Sequence, residues 1–388
     1  MRIKYIKVLN KDSNKRKILR ILVVPLIIAS LAAVILSSYY IESNFFLIGK
    51  GIYPVYQLLN KIGTSFISRQ NPIKDTIVYC DYYTWYDEQR WSRGYSDTPL
   101  PGLYDSLDPD VIAEHSRLAN EYGIDVFKVE YLPQLDESIL EGILDSDIGN
   151  TKICLMYDSL LRFGELNKSG NFYDFNNPEL SSMFLEDMNH IADTYFNNEN
   201  YFKIDGRPVL WIYIAREYTG SYKEIIKQAK ENMLEKGYDA YLVGDLVFWN
   251  YRLSGINAFD AVSLYTSYAG RPQNTARLAE RMKFLYVVWK LASQLHGKDF
   301  IPAGIPAYDD TNLAGERKPM DILSGNSRDF HYQLSIVSSF LDRVNIAPEF
   351  NQVTIATFNE HQEGSSVEPT EEWGYDRIEQ IPLVFGSQ

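Results

Sequence analysis

The chain has 388 residues, 45% of them hydrophobic and 23% charged, which is typical of a globular protein with one large or two ordinary domains. Its net charge of −13 argues against a nucleic-acid partner, because phosphate binding relies on clustered Lys and Arg. The aromatic share of 14%, with 29 Tyr and 6 Trp, fits either surfaces that stack on sugar rings or a large tyrosine-rich core.

The N-terminus is predicted to anchor the chain in a membrane. Residues 1–20 hold eight Lys and Arg against one Asp, and residues 21–41 carry no charge over the length of a transmembrane helix. This pattern predicts a single-pass protein with a cytoplasmic N-terminus and an extracellular or lumenal remainder. A cleaved signal peptide is the alternative, although its apolar region is usually shorter. Residues 42–74 are then a stalk or linker.

Residues 75–388 are predicted to form one domain of alternating strands and helices. The predicted strands are residues 76–81, 125–129, 152–157, 208–212, 241–244, 261–264, 300–305 and 353–358. The predicted helices are residues 109–122, 136–145, 178–196, 222–236, 274–295 and 328–344. Asp108, Asn177 and Ser327 are the predicted caps of three of these helices. Short apolar strands separated by helices predict a parallel sheet covered on both sides, here an α/β fold of the (β/α)8 TIM-barrel type. The fifth and sixth strands lack a clear connecting helix.

Several other chemistries find no support in the sequence. No GxGxxG follows the first strand and no GxxxxGK[ST] occurs, which disfavours a nucleotide site. No histidine pair has HxH or HxxxH spacing and no GxSxG elbow occurs, so neither a metal nor a serine nucleophile is predicted. No cofactor is expected. Cys80 and Cys154 are predicted to be buried free thiols, with one disulfide bridge as the alternative.

In such a barrel the active site lies at the carboxyl ends of the strands. Acids and aromatic residues cluster at these ends, and the predicted substrate-binding residues are Tyr83, Trp85, Tyr86, Glu130, Asp158, Tyr213, Tyr265, Tyr308, Asp309, Asn359 and His361. Hydrolysis of a glycosidic bond needs this combination. One carboxyl group protonates the leaving oxygen, a second acts as base or nucleophile, and aromatic rings bind the apolar faces of sugars.

Glu360 and Glu363 are the predicted catalytic pair, since they follow the last strand directly. Two carboxyl groups held close together in a desolvated cleft repel each other, which raises the pKa of one of them. A solvated acidic turn is the alternative for an isolated ExxE pattern. In the same way, Asp309 could cap a turn, and Tyr83 and Trp85 could close the rim of the barrel.

Four segments of the chain resemble glycoside hydrolase family 99, the endo-α-1,2-mannosidases and related mannanases. Residues 358–369 read FNEHQEGSSVEP and resemble the family's FNEWHEGTxIE segment. Residues 82–86 (YYTWY), 201–213 (YFKIDGRPVLWIY) and 300–311 (FIPAGIPAYDDT) resemble three further family segments in the same order. The resemblance extends over residues 75–380.

This resemblance implies a (β/α)8 barrel that cleaves α-1,2-type mannosidic linkages inside a mannose-containing oligosaccharide or polysaccharide, with retention and without a metal. It implies that Glu360 acts as a base on the sugar's own 2-hydroxyl to form a 1,2-anhydro sugar. Glu363 would protonate the leaving group and then activate water. The chain departs from the family at His361 and Gln362, where Trp and His are usual, and at Glu130, where a small or aromatic residue is usual. These departures bear on which sugar the enzyme would cleave.

Two other functions stay open at the level of sequence. A non-catalytic glycan-binding or glycan-assembly protein could keep the same barrel and cleft. A related group of barrel proteins found with surface-polysaccharide genes, often described as glycosyltransferases, carries a similar NEWxEG motif. No DxD motif between strands supports a transferase.

Overall fold

The computed structural model describes residues 53–58, 75–133, 137–144, 146, 148–166, 172–270, 273–313, 318–341 and 350–386. The predicted basic tail at 1–20 and the predicted membrane span at 21–41 lie outside these residues. No helix in the described ranges has the length and apolar character needed to cross a bilayer. Residues 53–58 of the predicted stalk are helical, and Tyr53 and Tyr56 pack on the ring of Phe340 at centroid distances of 5.8 and 5.1 Å.

Strands and helices alternate along the described chain. The strands are β1 (Thr76–Tyr82), β2 (Val126–Tyr131), β3 (Lys152–Asp158), β4 (Tyr173–Asp174), β5 (Lys203–Ile204), β6 (Arg207–Tyr213), β7 (Tyr218–Thr219), β8 (Tyr241–Asp245), β9 (Ala261–Ser263), β10 (Gln273–Asn274), β11 (Asp299–Phe300), β12 (Ala303–Gly304), β13 (Leu323–Ser324) and β14 (Asn351–Ile355). The α-helices are α1 (Glu88–Trp91), α2 (Pro109–Tyr122), α3 (Glu137–Leu144), α4 (Ser159–Arg162), α5 (Pro178–Tyr195), α6 (Tyr222–Glu235), α7 (Thr275–Leu295), α8 (Ser327–Ser338) and α9 (Gln380–Phe385). Short 3₁₀ helices span Gly164–Leu166, Ala215–Glu217 and Leu253–Ala258.

The long strands form one curled parallel sheet of the (β/α)8 type. Its order is β11-β9-β8-β6-β3-β2-β1-β14-β12, and β5 adds an antiparallel hairpin to β6. β11 pairs with β9 and β12 pairs with β14. Because β11 and β12 are only two residues apart, the short segment 299–304 contacts strands from both ends of this order. The curl brings the carboxyl ends of the parallel strands to one edge.

Alternate residues of the strands face the interior of the curl. The buried apolar residues of this interior are Tyr79, Val126, Cys154, Met156, Ile204, Val209, Trp211, Tyr241, Val243, Ala261 and Ile301. Continued to the carboxyl ends of the strands, the same alternation directs Tyr83, Glu130, Asp158, Tyr213 and Tyr265 inward. The sequence-predicted residues at these five strand ends therefore share one side of the sheet.

The two cysteines lie on opposite faces of the sheet. Cys80 belongs to the core between the sheet and its helices, whereas Cys154 belongs to the interior of the curl. Both are buried free thiols, as predicted, and the alternative of a disulfide bridge between them is wrong.

Strand and helix positions agree with the sequence-based prediction, with differences at their ends. The predicted strand 300–305 is split into β11 and β12 around Pro302, which has no N–H to give to a neighbouring strand. The predicted strand 353–358 ends at Ile355, and the predicted helix 328–344 ends at Ser338. Between β8 and β9 the described chain has only the 3₁₀ helix Leu253–Ala258, so the missing helix in this connection is confirmed.

Candidate active site

The segment after β14 folds back on the end of its own strand. The N–H of Val367 donates to the carbonyl of Thr357 at 2.9 Å, and the N–H of Glu368 donates to that of Phe358 at 2.8 Å. The N–H of Ser365 donates to the carbonyl of Glu360 at 3.2 Å. These bonds hold the predicted catalytic segment as a buried loop at the carboxyl edge of the sheet.

Glu360 is buried, with 3% of its surface exposed. Its Oε1 accepts from the N–H of Gln362 at 3.1 Å and from the Tyr86 hydroxyl at 3.4 Å. Burial raises the pKa of the Glu360 carboxyl, and the charge of Glu363 adds to the rise. The guanidinium of Arg90 and the two hydrogen bonds act in the opposite direction without reversing it. The alternative of a solvated acidic turn is therefore wrong for Glu360.

Glu363 is more open to solvent than Glu360 and contacts the loop after β12. The hydroxyl of Tyr308 lies 3.0 Å from Oε1 of Glu363 and 3.2 Å from Oδ2 of Asp310. The N–H of Asp309 donates to the backbone carbonyl of Glu363 at 2.6 Å. The Tyr308 hydroxyl is thus within hydrogen-bond distance of both carboxyl groups and positions Glu363 beside Asp310.

Aromatic rings from the strand ends surround the two carboxyl groups. The rings of Tyr83 and Trp85 stack at a centroid distance of 4.4 Å, and those of Tyr213 and Tyr265 meet edge to face at 5.7 Å. Burial raises the pKa of the Tyr265 hydroxyl, and the charges of Glu363 and Glu360 add to the rise. Tyr265 is therefore close enough to both carboxyl groups to sense their charge.

Four sequence-predicted binding residues are bound to other protein groups. Asp158 accepts from the N–H groups of Leu160 and Leu161 and caps α4. Asp309 accepts from the N–H and hydroxyl of Thr311, so its side chain caps a turn as the sequence alternative proposed. Asn359 and His361 are fully buried.

Asn359 and His361 are buried, and their hydrogen bonds hold the loop after β14 in position. Asn359 bonds both the N–H and the carbonyl of Tyr83 at 2.8 Å. Nε2 of His361 lies 2.8 Å from Oε2 of Glu368, and the backbone N–H of His361 donates to the Tyr86 hydroxyl at 3.0 Å. Neither side chain has exposed surface in this structure, and their predicted role in substrate binding stays a prediction.

A histidine–carboxylate cluster lies behind the loop, and sequence reasoning missed it. Glu368 contacts Nε2 of His115 at 3.1 Å and Nε2 of His361 at 2.8 Å, and it accepts from the Tyr104 hydroxyl at 2.9 Å. Burial alone would raise the pKa of Glu368, but the charges and hydrogen bonds of the two histidines outweigh it and lower the pKa to about 2. Glu368 corresponds to the last residue of the family's FNEWHEGTxIE segment. This match was the only sign of the cluster in the sequence analysis. His361 thus stands where the family usually has Trp, and its ring bonds Glu368.

Arg90 is the second feature that sequence reasoning missed. Its guanidinium lies 4.0 Å above the ring of Trp85, and its charge reaches Glu360 and Glu130. The backbone carbonyls of Arg90 and Gly94 accept from Nε2 of Gln362 at 3.1 and 3.2 Å. The available signal was a pair of arginines, Arg90 and Arg93, in the aromatic-rich segment that follows β1.

The described residues hold no group of three or more His, Cys, Asp or Glu side chains placed to bind a metal ion. The site instead offers two coupled carboxyl groups, one buried and one more open, beside stacked aromatic rings and one guanidinium. Such an arrangement can accept a proton at one carboxyl group and donate one from the other.

Comparison with family models identifies one family. The profile of the family described as glycosyl hydrolase family 99 matches residues 87–379. A family 99 endo-α-mannosidase from Bacteroides thetaiotaomicron is 18% identical over 80% of this chain and 95% of that chain, with a TM-score of 0.61. A glycoside hydrolase-like protein is 19% identical over 82% and 95%, with a TM-score of 0.62. At these identities the structural likeness is one of fold. No curated protein matches the sequence.

Proposed function

This chain belongs to glycosyl hydrolase family 99, and on that premise we propose that it is a retaining, endo-acting hydrolase of α-1,2-type mannosidic linkages. We propose that its catalytic domain is a complete (β/α)8 barrel. The observation that carries the proposal is the buried carboxyl group of Glu360, whose pKa is raised further by the charge of the more open Glu363, among aromatic strand ends. The two similar structures of a Bacteroides thetaiotaomicron endo-α-mannosidase support mannose as the sugar.

In the first proposed step, the sugar itself supplies the nucleophile. The Glu360 carboxylate takes the proton of the mannose 2-hydroxyl, whose oxygen attacks C1 as the bond from C1 to the leaving oxygen breaks. Glu363 gives its proton to that leaving oxygen, so the products are a 1,2-anhydro sugar and a free glycan. Burial suits Glu360 to this role, because a carboxylate with a raised pKa is a stronger base. The Tyr308 hydroxyl, 3.0 Å from Oε1 of Glu363, positions the proposed acid beside the aromatic strand ends.

In the second proposed step, water opens the 1,2-anhydro sugar. Glu363, now ionised, takes a proton from water, and the oxygen of that water attacks C1. The bond from C1 to O2 breaks, and O2 recovers its proton from Glu360. Both steps invert C1, so the net reaction retains the anomeric configuration and restores both carboxyl groups to their starting states.

The proposal is tested by hydrolysis assays on a panel of α-1,2-mannans and glucosylated mannose glycans. Glu360→Gln and Glu363→Gln should each reduce kcat by about a thousandfold, because each removes one proton transfer. Glu235→Gln, an exposed acid at the end of α6, is the matched control and should keep full activity. Full activity of Glu363→Gln, or glycan binding without turnover by the unmodified chain, would contradict the proposal.

We also propose that residues 21–41 anchor the chain in a membrane with residues 1–20 in the cytoplasm. The charge-free run and its basic leader support this proposal. The full-length chain should stay with membranes after an alkaline carbonate wash, and protease added outside should digest its catalytic domain. Release by the wash would contradict an anchor.

A further inference from the structure

Two arginines beside the catalytic pair form no direct ion pair in the described part of the chain, although the charge of Glu360 acts on Arg90. Arg90 is partly buried and Arg93 is exposed. Nε of Arg90 is buried without a hydrogen-bond partner, and the pKa of Arg90 is lowered, first by burial and also by the neighbouring charge of Arg93. Two like charges therefore lie side by side although neither forms an ion pair within the described ranges.

Three other buried or half-buried cations of this acidic protein form direct ion pairs. Lys128 lies 2.8 Å from Asp81 and Arg377 lies 2.9 Å from Asp97, while Arg216 is bonded to Asp245. A half-buried guanidinium that forms no direct ion pair loses hydration, and the charge of Glu360 offsets that loss only in part. An anion supplied by a ligand would add direct hydrogen bonds to the guanidinium.

The position of Arg90 is fixed relative to the catalytic carboxyl groups. Its guanidinium lies on the ring of Trp85, which in turn stacks on Tyr83. Gln362, the residue directly before Glu363, is bonded to the carbonyl of Arg90 at 3.1 Å. The charge of Arg90 is also the largest opposing contribution to the raised pKa of Glu360. The guanidinium therefore lies at the site, where a bound glycan would meet it.

We propose that Arg90, assisted by Arg93, binds an anionic substituent of the glycan, so that the substrate is an acidic mannose-containing glycan. Carboxylate, phosphate and sulfate groups share the required chemistry, since the planar fork of a guanidinium bonds two oxygens of each. The inference rests on the proposed function for the placement of a glycan in this cleft. It explains a cation that the two proton-transfer steps do not use.

The test compares the binding of neutral α-1,2-mannotriose with that of two sets of anionic trisaccharides. One set carries a single 6-phosphate on each residue in turn, and the other carries a 6-carboxylate in the same positions. Calorimetry with the full-length Glu363→Gln chain gives the affinities without turnover. At least one anionic trisaccharide should bind about tenfold or more tightly than the neutral one, and added salt should reduce that preference. The two sets distinguish a phosphorylated glycan from a uronic-acid glycan.

Variants of the two arginines distinguish specific binding of the anionic substituent by Arg90 from a general electrostatic attraction. Arg90→Met in the Glu363→Gln chain should lower the affinity for the anionic trisaccharide to the affinity that the same variant has for neutral mannotriose, and an unchanged circular dichroism spectrum should show that the variant is folded. Arg93→Met should weaken the preference less, because its side chain is exposed. Arg277→Met, an exposed arginine at the start of α7, is the matched control and should keep the preference.

Equal affinity for neutral and anionic trisaccharides, or a preference that survives Arg90→Met, would overturn the inference. Hydrolysis of neutral mannotriose by the unmodified chain reports separately on the proposed function. A chain that cleaves this neutral sugar and shows no anionic preference loses only the inference. A chain that prefers the anion and cleaves nothing keeps the inference and loses the proposed hydrolase function.

Discussion

At the scale of the residue, burial gives Glu360 its chemistry. The residue is 3% exposed, and the charge of Glu363 raises the pKa of its carboxyl group while the guanidinium of Arg90 lowers it. A pair of carboxyl groups placed in this way shares one proton over an intermediate range of pH. That singly protonated pair is the form that both proposed steps require.

The first prediction concerns the pH dependence of kcat. The raised pKa of Glu360, about 8, marks where the pair loses its shared proton, so kcat should fall as pH rises through about 8. At low pH both groups are protonated and the base is lost, which gives a bell-shaped profile. Initial rates between pH 4 and about 10 on a fixed mannan measure both limbs.

Arg90→Met should move the alkaline limb to higher pH. The guanidinium favours the ionised form of Glu360, so its removal raises the pKa of that carboxyl group further. Arg277→Met should leave the limb in place, since this exposed side chain lies at the start of α7. An alkaline limb that moves to lower pH in Arg90→Met would contradict this electrostatic account.

The sequence predicted the residues of the site that strand geometry alone determines. Tyr83, Glu130, Tyr213 and Tyr265 follow from two local rules, the period of two along a strand and the location of the site at carboxyl ends. The supporting residues could not be predicted in this way. His115 comes from α2 and Arg90 from α1, and their contacts with the last loop depend on the tertiary fold.

At the scale of the element, two loops are packed together at the rim of the site. Gly94 follows α1 with a φ of +95°, and a Cβ added there would lie 2.0 Å from the carbonyl oxygen of Asn312. The loop of Asn312 also carries Tyr308, which contacts Glu363. The absence of a side chain at Gly94 therefore keeps the Arg90 segment close to the catalytic acid.

The second prediction is that Gly94→Ala destabilises the fold and lowers kcat/KM. Both a left-handed backbone and a clash with backbone atoms oppose the new Cβ, which together should cost about 2–4 kcal/mol. Gly102→Ala is the matched control, because Gly102 has a φ of +89° and its added Cβ meets nothing within 4 Å. It should cost about 1 kcal/mol and keep activity. Denaturant unfolding and steady-state kinetics measure both effects, and equal losses in the two variants would contradict the packing argument.

The sequence predicted the positions of the helices well, but only two of the three predicted N-caps are correct. Asp108 and Asn177 cap α2 and α5 through their side chains, as predicted. The cap of α8 is Asn326, one residue before the predicted Ser327. Both residue types are favourable caps, so their order in sequence does not distinguish them. Tertiary packing decides such boundaries.

At the scale of the whole molecule, a buried ion pair crosses the interior of the curled sheet. Nζ of Lys128 on β2 lies 2.8 Å from Asp81 on β1, 3.0 Å from the hydroxyl of Thr354 on β14, and 4.0 Å from the ring centroid of Trp211 on β6. Burial raises the pKa of Asp81 to about 6 in spite of the ammonium group. This pair links four strands beneath the site, and sequence alternation alone did not reveal it.

The third prediction is that Lys128→Met lowers the free energy of unfolding by about 3–5 kcal/mol at pH 8, because Asp81 is left buried without a partner. The pKa of Asp81 in the folded protein already lies above its unfolded value, so its ionisation costs stability as pH rises. The loss should therefore be smaller at pH 5, where Asp81 is protonated. The double variant Lys128→Met/Asp81→Asn should recover much of the stability, and a loss that is independent of pH would contradict this account.

The central claim is that Glu360 and Glu363 together cleave an α-mannosidic bond with retention. Time-resolved NMR of α-1,2-mannotetraose at pH 7 tests it most directly. The unmodified chain should first release a disaccharide whose new reducing end is the α-anomer, and neither Glu360→Gln nor Glu363→Gln should release it at a comparable rate. A β-anomer as the first product, or undiminished release by either variant, would contradict the claim.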